Sequence, residues 1–456
     1  MAHENAAPAR LLFKRARCTI EAIQQLSGEE RAVVRKAAWR LLPFLCVVYF
    51  IAYLDRVNVG FAALTMNADL GLTATQYGFG AGIFFWSYFL FEVPSNFALQ
   101  RFGARVWIAR IMITWGLISV AMAFVRGPVS FATMRFLLGI AEAGFFPGMV
   151  LYLTCWFPSG VRAAILGIFI IANPASTIIG APLSTALLGT SIAGLTGWQT
   201  LYVIEGMPAV LLGFATLFVL SDSPAKAKWL APREREVLER AVARDAAAST
   251  HTSWRDGLFS AEVWRFVALY AALMMGVYGL GFWAPQIVKS FGSLSNQQVG
   301  WVLVVPYLCA TVAMCLWARH SDRTGERTWH LVIPAVIATV AFVYGSFADN
   351  VYLAIAAFTF GAIGIYSQLP LFWTVPTAML TGSAAAGGIA LINSIGNLSG
   401  WVAPTVIGWL KDQTQGYAAG LLVIAASMGL AGVLGYFLSK PRSKWRGFER
   451  HGAGGA

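Results

Sequence analysis

The amino-acid sequence predicts an all-α membrane protein of twelve transmembrane helices, arranged as two pseudo-symmetric halves of six. Three observations predict it. Twelve apolar runs are long enough to cross a bilayer, the basic residues collect on one side of that arrangement, and the two halves repeat each other at one offset.

The runs come first. Of 456 residues, 58% are apolar and only 12% are charged, about half the ~25% charge of a soluble domain. That is too little charge to cover the surface of a soluble chain of this size. The 45 glycines suit helices that pack closely in lipid. A bilayer core takes about 20 apolar residues per helix. Such runs centre near Phe50, Tyr88, Trp115, Gly139, Asn173 and Val210, then near Gly276, Leu308, Val336, Gly361, Ile395 and Ile424. Between the sixth and seventh lies a polar stretch whose middle, PREREVLERAVARDAAA (232–248), reads as an exposed amphipathic helix. The expected organisation is a tail (1–40), a six-helix bundle (41–220), a linker (221–262), a second six-helix bundle (263–438) and a tail (439–456). The first forty residues are polar and basic, so no signal peptide is expected.

Charge comes second. The net charge of +12 invites a nucleic-acid partner, but its distribution speaks for topology instead. With the N-terminus placed in the cytoplasm, 28 of the 33 Lys and Arg fall on the cytoplasmic side. Only Arg126, Lys289 and Lys411 fall on the other, and Arg56 and Arg135 lie inside spans. The positive-inside bias therefore puts both termini in the cytoplasm and needs no nucleic acid.

The repeat is third. In the connection after the second span, NFALQRFGAR, the residues Arg101, Gly103 and Arg105 match Arg323, Gly325 and Arg327 in ARHSDRTGER after the eighth. The offset is 222 residues. At the same offset Ala181-Pro182 in the fifth span matches Ala403-Pro404 in the eleventh. Duplicated bundles of this kind build alternating-access carriers, with the site between the halves near the midplane.

Six charges fall at lipid depth: Asp55, Arg56, Glu92, Arg135, Glu142 and Glu205. Each would cost about 3 kcal/mol unpaired at the membrane centre, so they must pair, protonate or face water. Asp55 and Arg56 are adjacent and point about 100° apart on a helix, so each needs a partner on another helix. A guanidinium matches a carboxylate in bidentate geometry, which makes Arg56 a candidate grip on an anionic substrate. Asp55 is then a candidate proton carrier. Arg135 and Glu142 are seven apart and share a helix face, flanked by glycines 139, 144 and 148 that permit close helix approach. Glu92, followed by Pro94, and Glu205 read as structural, Glu92 through pairing with the basic connection after its span. Tyr53, Tyr88, Asn173, Tyr278, Trp283, Gln286, Trp373, Asn393 and Asn397 are further polar or aromatic candidates to line a cavity.

Other functions find no support. The five cysteines have neither paired nor metal-ligand spacing. No nucleophile elbow or phosphate loop appears, so neither an enzyme nor a cofactor is expected. The loops are too short for a signalling domain.

The connection SDRTGER (321–327) resembles the signature loop of the major facilitator superfamily. In the first half Gln100 stands where that family usually has Asp. A narrower resemblance rests on YLDRVNVGFA (53–62), FFWSYFLFEVPSN (84–96), MRFLLGIAEAGFFPG (134–148) and GNLSGWVAP (396–404). These segments are similar to the anion:cation symporter family, which includes sugar-acid, tartrate, phthalate and hydroxyphenylacetate permeases. The resemblance implies a monomeric inner-membrane symporter of bacteria that imports a small organic carboxylate together with protons. It implies that Asp55 and Glu142 carry protons and that Arg56 binds the substrate carboxylate. It also places Arg135, Tyr53, Tyr88, Asn173, Trp373 and Asn393 at the site. All five histidines lie outside spans or at their ends, which argues against a histidine switch. The alternatives are an organic-anion exchanger or uniporter, and a drug efflux antiporter, which would want acids and aromatics without two buried arginines.

Overall fold

The computed structural model describes residues 26–439, apart from 159–160, 163–164, 167–168, 170–171, 247–260, 293 and 380–381. The first half comprises α1 (Gly28–Asp69), α2 (Ala74–Phe102), α3 (Ala104–Ala121), α4 (Pro128–Glu142), α5 (Phe145–Trp156), α6 (Ala172–Leu188) and α7 (Gly197–Val219). The linker helix α8 (Pro232–Ala246) follows. The second half comprises α9 (Ala261–Ser290), α10 (Asn296–Thr324), α11 (Thr328–Gly345), α12 (Val351–Met379), α13 (Gly382–Asn397), α14 (Ser399–Thr414) and α15 (Ala418–Ser439). Because α4 with α5 and α13 with α14 each make one crossing, the twelve expected spans are present.

Among the described residues nine spans are long and apolar enough by composition alone. The other three have local reasons. The second carries Glu92, Ser95 and Asn96, the described helix of the fifth begins at Ala172, and the eleventh is divided at Leu398.

Sequence explains where these helices start. Ser27 and Glu30 form a reciprocal cap, with the Glu30 N–H donating to the Ser27 hydroxyl at 3.1 Å and the Ser27 N–H donating to the Glu30 carboxylate at 2.8 Å. Thr73 with Gln76 starts α2 and Ser295 with Gln298 starts α10 in the same way. The 222-residue repeat reappears as geometry. Gly103 ends α2 at φ +86° and Gly325 ends α10 at φ +69°, a region that favours glycine. The two loops differ inside. In the second, Asp322 pairs with Arg327 at 2.6 Å. In the first, where Gln100 replaces the loop acid, Asp222 from beyond α7 accepts from the Arg105 N–H at 3.0 Å.

Leu211, Phe214 and Phe218, spaced along one face of α7, are exposed. An apolar stripe of this kind faces lipid rather than water. The linker helix α8 is fastened to the start of α1 by three ion pairs, Lys36–Glu234 at 2.7 Å, Arg233–Glu29 at 2.6 Å and Arg244–Glu30 at 2.6 Å.

The halves meet where α1 packs on α9, α2 on α14 and α6 on α10. The closest approaches lie at the end of the bundle opposite the termini. A Cβ on Gly78 would fall 2.1 Å from the Pro404 carbonyl oxygen, and one on Gly408 would fall 2.2 Å from that of Ala74. Only glycine lets α2 and α14 touch so closely. At that far end Asp412 of the second half caps α2 of the first, accepting from the N–H groups of Ala74 (3.1 Å) and Thr75 (2.8 Å). Asn67 donates to Gln286 at 3.2 Å, and the Tyr77 hydroxyl donates to the Phe282 carbonyl at 3.1 Å. Nearer the termini, among the described residues, the Ser394 hydroxyl donates to Glu92 across the halves at 3.0 Å. The far end is thus the sealed end.

Candidate functional site

The six charges at lipid depth all belong to the first half, and the fold sorts five of them into two layers, with Glu92 apart against Ser394. In the layer facing the second half, Arg56 of α1 and Glu142 of α4 form a direct ion pair through Nη2 and Oε1, both mostly buried. Three rings surround the guanidinium. Its Cζ lies 5.3 Å from the Tyr53 ring centre, 5.5 Å from that of Phe84 and 5.6 Å from that of Tyr88. Aromatic faces stabilise a cation where water is scarce.

Local sequence explains how Glu142 comes to sit there. α4 ends at Glu142 because Gly144 adopts φ +81°, and a Cβ on it would fall 2.4 Å from the Ser95 hydroxyl. The break leaves Glu142 on a helix end, toward Arg56. Gly139, one turn earlier, lies against the Phe84 carbonyl, where a Cβ would come within 2.3 Å. This contact brings the aromatic run of α2 to the guanidinium.

The second layer lies inside the first half. Asp55 is 2% exposed. Its carboxylate accepts from Asn58 Nδ2 at 2.9 Å, from Trp115 Nε1 at 2.5 Å and from the Ser119 hydroxyl. Trp115 and Ser119 are one turn apart on α3, so both reach the same acid. Arg135, 1% exposed, donates to the Ala81 carbonyl at 2.8 Å, lies 5.1 Å from the Phe84 ring centre and acts electrostatically on both Asp55 and Glu142. Glu205, also 1% exposed, accepts from the Ser184 hydroxyl at 2.6 Å.

The second half supplies aromatic and amide groups opposite Arg56. The Tyr278 hydroxyl donates to Asn397 Oδ1 at 2.8 Å, and Asn397 Nδ2 donates to Asn393 Oδ1 at 3.0 Å. The Tyr278 ring packs 4.4 Å from Phe85 of the first half. Trp373 packs against Tyr270 at 5.0 Å.

The fold thus brings Tyr53, Arg56, Tyr88 and Glu142 together, sets Asp55 and Arg135 one layer deeper, and places Asn393 across from them. Asn173 lies outside the described side chains. Glu92 does not pair with the basic connection as its position in sequence suggests. It reaches Ser394 of the other half instead. Tyr278 has a larger part than sequence reading gives it, and Asn58, Trp115 and Ser119 are absent from that reading. For Asn58 a signal existed, because it stands three residues after Asp55 on the same helix face. For Trp115 and Ser119 only their one-turn spacing hints at a shared partner.

Comparison with known proteins agrees with this architecture. The profile of the Major Facilitator Superfamily matches residues 45–294 and 287–453. A protein of Agrobacterium vitis named "Putative tartrate transporter" is 50% identical over 417 residues, covering 91% of this chain and 96% of that one. A "Quinolone resistance transporter" of Acinetobacter baumannii is 41% identical over 413 residues, covering 90% and 95%. Among solved structures, an inward-facing, unoccupied bacterial homologue of the human lysosomal transporter Spinster superposes with a TM-score of 0.72 at 16% identity, over 91% of this chain and 97% of that one.

Proposed function

Since the chain belongs to the Major Facilitator Superfamily, and is therefore a multi-pass membrane transporter and not an enzyme, we propose that it imports a small organic carboxylate together with protons across a bacterial inner membrane. The observation that carries this reading is the Arg56–Glu142 ion pair, set between the halves inside a cage of aromatic rings. The substrate class is supported by the relative named for tartrate.

The chemistry follows from competition. Arg56 has one carboxylate partner, and an incoming carboxylate would take that place because the guanidinium fork fits either. Glu142, released inside a mostly buried site, is costly as a bare anion and takes up a proton instead. Binding of substrate and of proton are thereby coupled. Charge counting agrees, since two acids and two arginines balance in the empty site and an added anion needs a proton to restore the balance. Asp55, held by three donors and close to Arg135, is the second proton carrier. Arg135 tunes both acids. Tyr53, Tyr88, Asn173, Trp373 and Asn393 complete the substrate's surroundings. Protein, substrate and protons make up the working unit as a monomer, with both termini in the cytoplasm. The sealed far end then corresponds to a state open toward the cytoplasm, and access alternates as the halves rock about the site.

A second reading is favoured by the relative named for quinolone resistance. Quinolones are themselves aromatic carboxylic acids, so Arg56 would hold such a substrate equally well, with export against proton entry. One experiment separates the readings. Purified protein is placed in liposomes holding a pH-sensitive dye, and tartrate, a sugar acid, phthalate, hydroxyphenylacetate or a quinolone is added outside. Acidification of the lumen on addition of one acid, absent in liposomes without protein, establishes the substrate and symport together. Alkalinisation with a quinolone establishes exchange against protons. Counterflow with no pH change establishes an exchanger or uniporter and removes the proton roles of Asp55 and Glu142.

A further inference from the structure

Glu205 is a buried acid of the first half that the coupling scheme leaves without a task; Glu92, the other at lipid depth, is engaged by Ser394 across the halves. It stands on α7, 1% exposed. Its Oε1 accepts from Ser184 of α6 at 2.6 Å, while its Oε2 is buried with no hydrogen-bond partner. Among the described residues no Lys, Arg or His forms an ion pair or hydrogen bond with it. The groups around it are Asp55 and Asn58 of α1, Ser184 of α6, Tyr202 of its own helix, and Ser119 of α3, which borders the neighbouring Gly206. An ionised carboxylate with one bare oxygen and a second acid nearby costs several kcal/mol in such surroundings. A carboxylic acid costs far less, because it carries no charge. The Asn58 side chain borders Glu205, but its Nδ2 donates to Asp55 at 2.9 Å.

Position along the membrane gives this proton a direction. Glu205 is eight residues from the far-end start of α7, about 12 Å of helix, whereas Asp55 is fourteen residues from the far end of α1, about 21 Å. A proton entering from the far side meets Glu205 before Asp55.

We propose that Glu205 is a further proton-carrying residue, which holds a proton in the state sealed at the far end and exchanges it with Asp55 during the transport cycle. The step balances: the proton lost by the Glu205 carboxyl is gained by the Asp55 carboxylate, so one acid of the pair is neutral at each stage. This inference rests on the symport reading. The two are separated in liposomes with a pH-sensitive dye, using whichever acid gives counterflow in the wild-type protein. If the wild type shows counterflow without acidification, symport itself fails. If the wild type acidifies, Glu205→Gln is expected to keep counterflow within about twofold while acidification falls at least tenfold, and Glu205→Asp is expected to restore part of it. Acidification by Glu205→Gln at the wild-type rate overturns the proposal. Should Glu205→Gln fail to insert, infrared spectroscopy reads the proton directly. The wild type is expected to show a protonated-carboxyl band at neutral pH that shifts in Glu205→Asp, and a spectrum in which no such band moves overturns the proposal.

Discussion

The two halves repeat in backbone and differ in chemistry. Gly103 and Gly325 both end their helices with positive φ in the connections after the second and eighth spans, and Pro182 and Pro404 lie within matching helices. Yet Asp55, Arg56, Glu92, Arg135, Glu142 and Glu205 all lie in the first half, while the second offers Tyr278, Asn393 and Asn397 at the same depth. Duplication supplied two similar bundles. Divergence then placed the charge on one side only. On the proposed reading, the difference makes the second half the wall against which a charged first half opens and closes.

That division predicts different failures on the two sides. The largest is expected at Arg56. Arg56→Lys keeps the charge but loses the fork that spans a carboxylate, and a buried pair weakened by about 3 kcal/mol corresponds to a loss of transport of roughly a hundredfold. Uptake of labelled substrate into liposomes measures it, and near-normal uptake would show that Arg56 is not the grip. Next comes Asp55→Asn. It is expected to reduce proton-driven uptake at least tenfold while sparing exchange of substrate across the membrane. Loss of both together would make Asp55 a structural anchor for Trp115 and Ser119. The smallest effect is expected in the second half. Tyr278→Phe removes one neutral hydrogen bond to Asn397, worth about 1 kcal/mol, so KM should rise about fivefold with the pH response to substrate unchanged. If Tyr278→Phe abolished coupling, the separation of labour between the halves would be wrong.

Much of the fold was legible because a bilayer imposes simple rules. Apolar length, the placement of Lys and Arg and the 222-residue offset each report on a one-dimensional property of the chain. The breaks inside the fourth and eleventh spans were not legible as breaks. Gly144 looks like any other small residue in GIAEAGFFPG, and only its left-handed backbone against Ser95 shows why α4 stops at Glu142. The charged candidates were legible because charge at lipid depth is rare. Their partners were not, since partnership depends on which helices become neighbours.

The sequence by itself determined the number of spans, the two-half repeat, the linker helix and the set of ionisable residues that the membrane must accommodate. Only the tertiary structure decided that Arg56 pairs with Glu142 and not with its neighbour Asp55, that Asp55 turns inward to Trp115 and Ser119, that Glu92 crosses to Ser394, and that Glu205 keeps a bare oxygen beside Asn58. The physical reason is that span formation depends on transfer of each segment into lipid, a property summed along the chain. Pairing depends instead on distances of a few ångströms between helices far apart in sequence, which the packing of glycines such as Gly78, Gly139 and Gly408 sets.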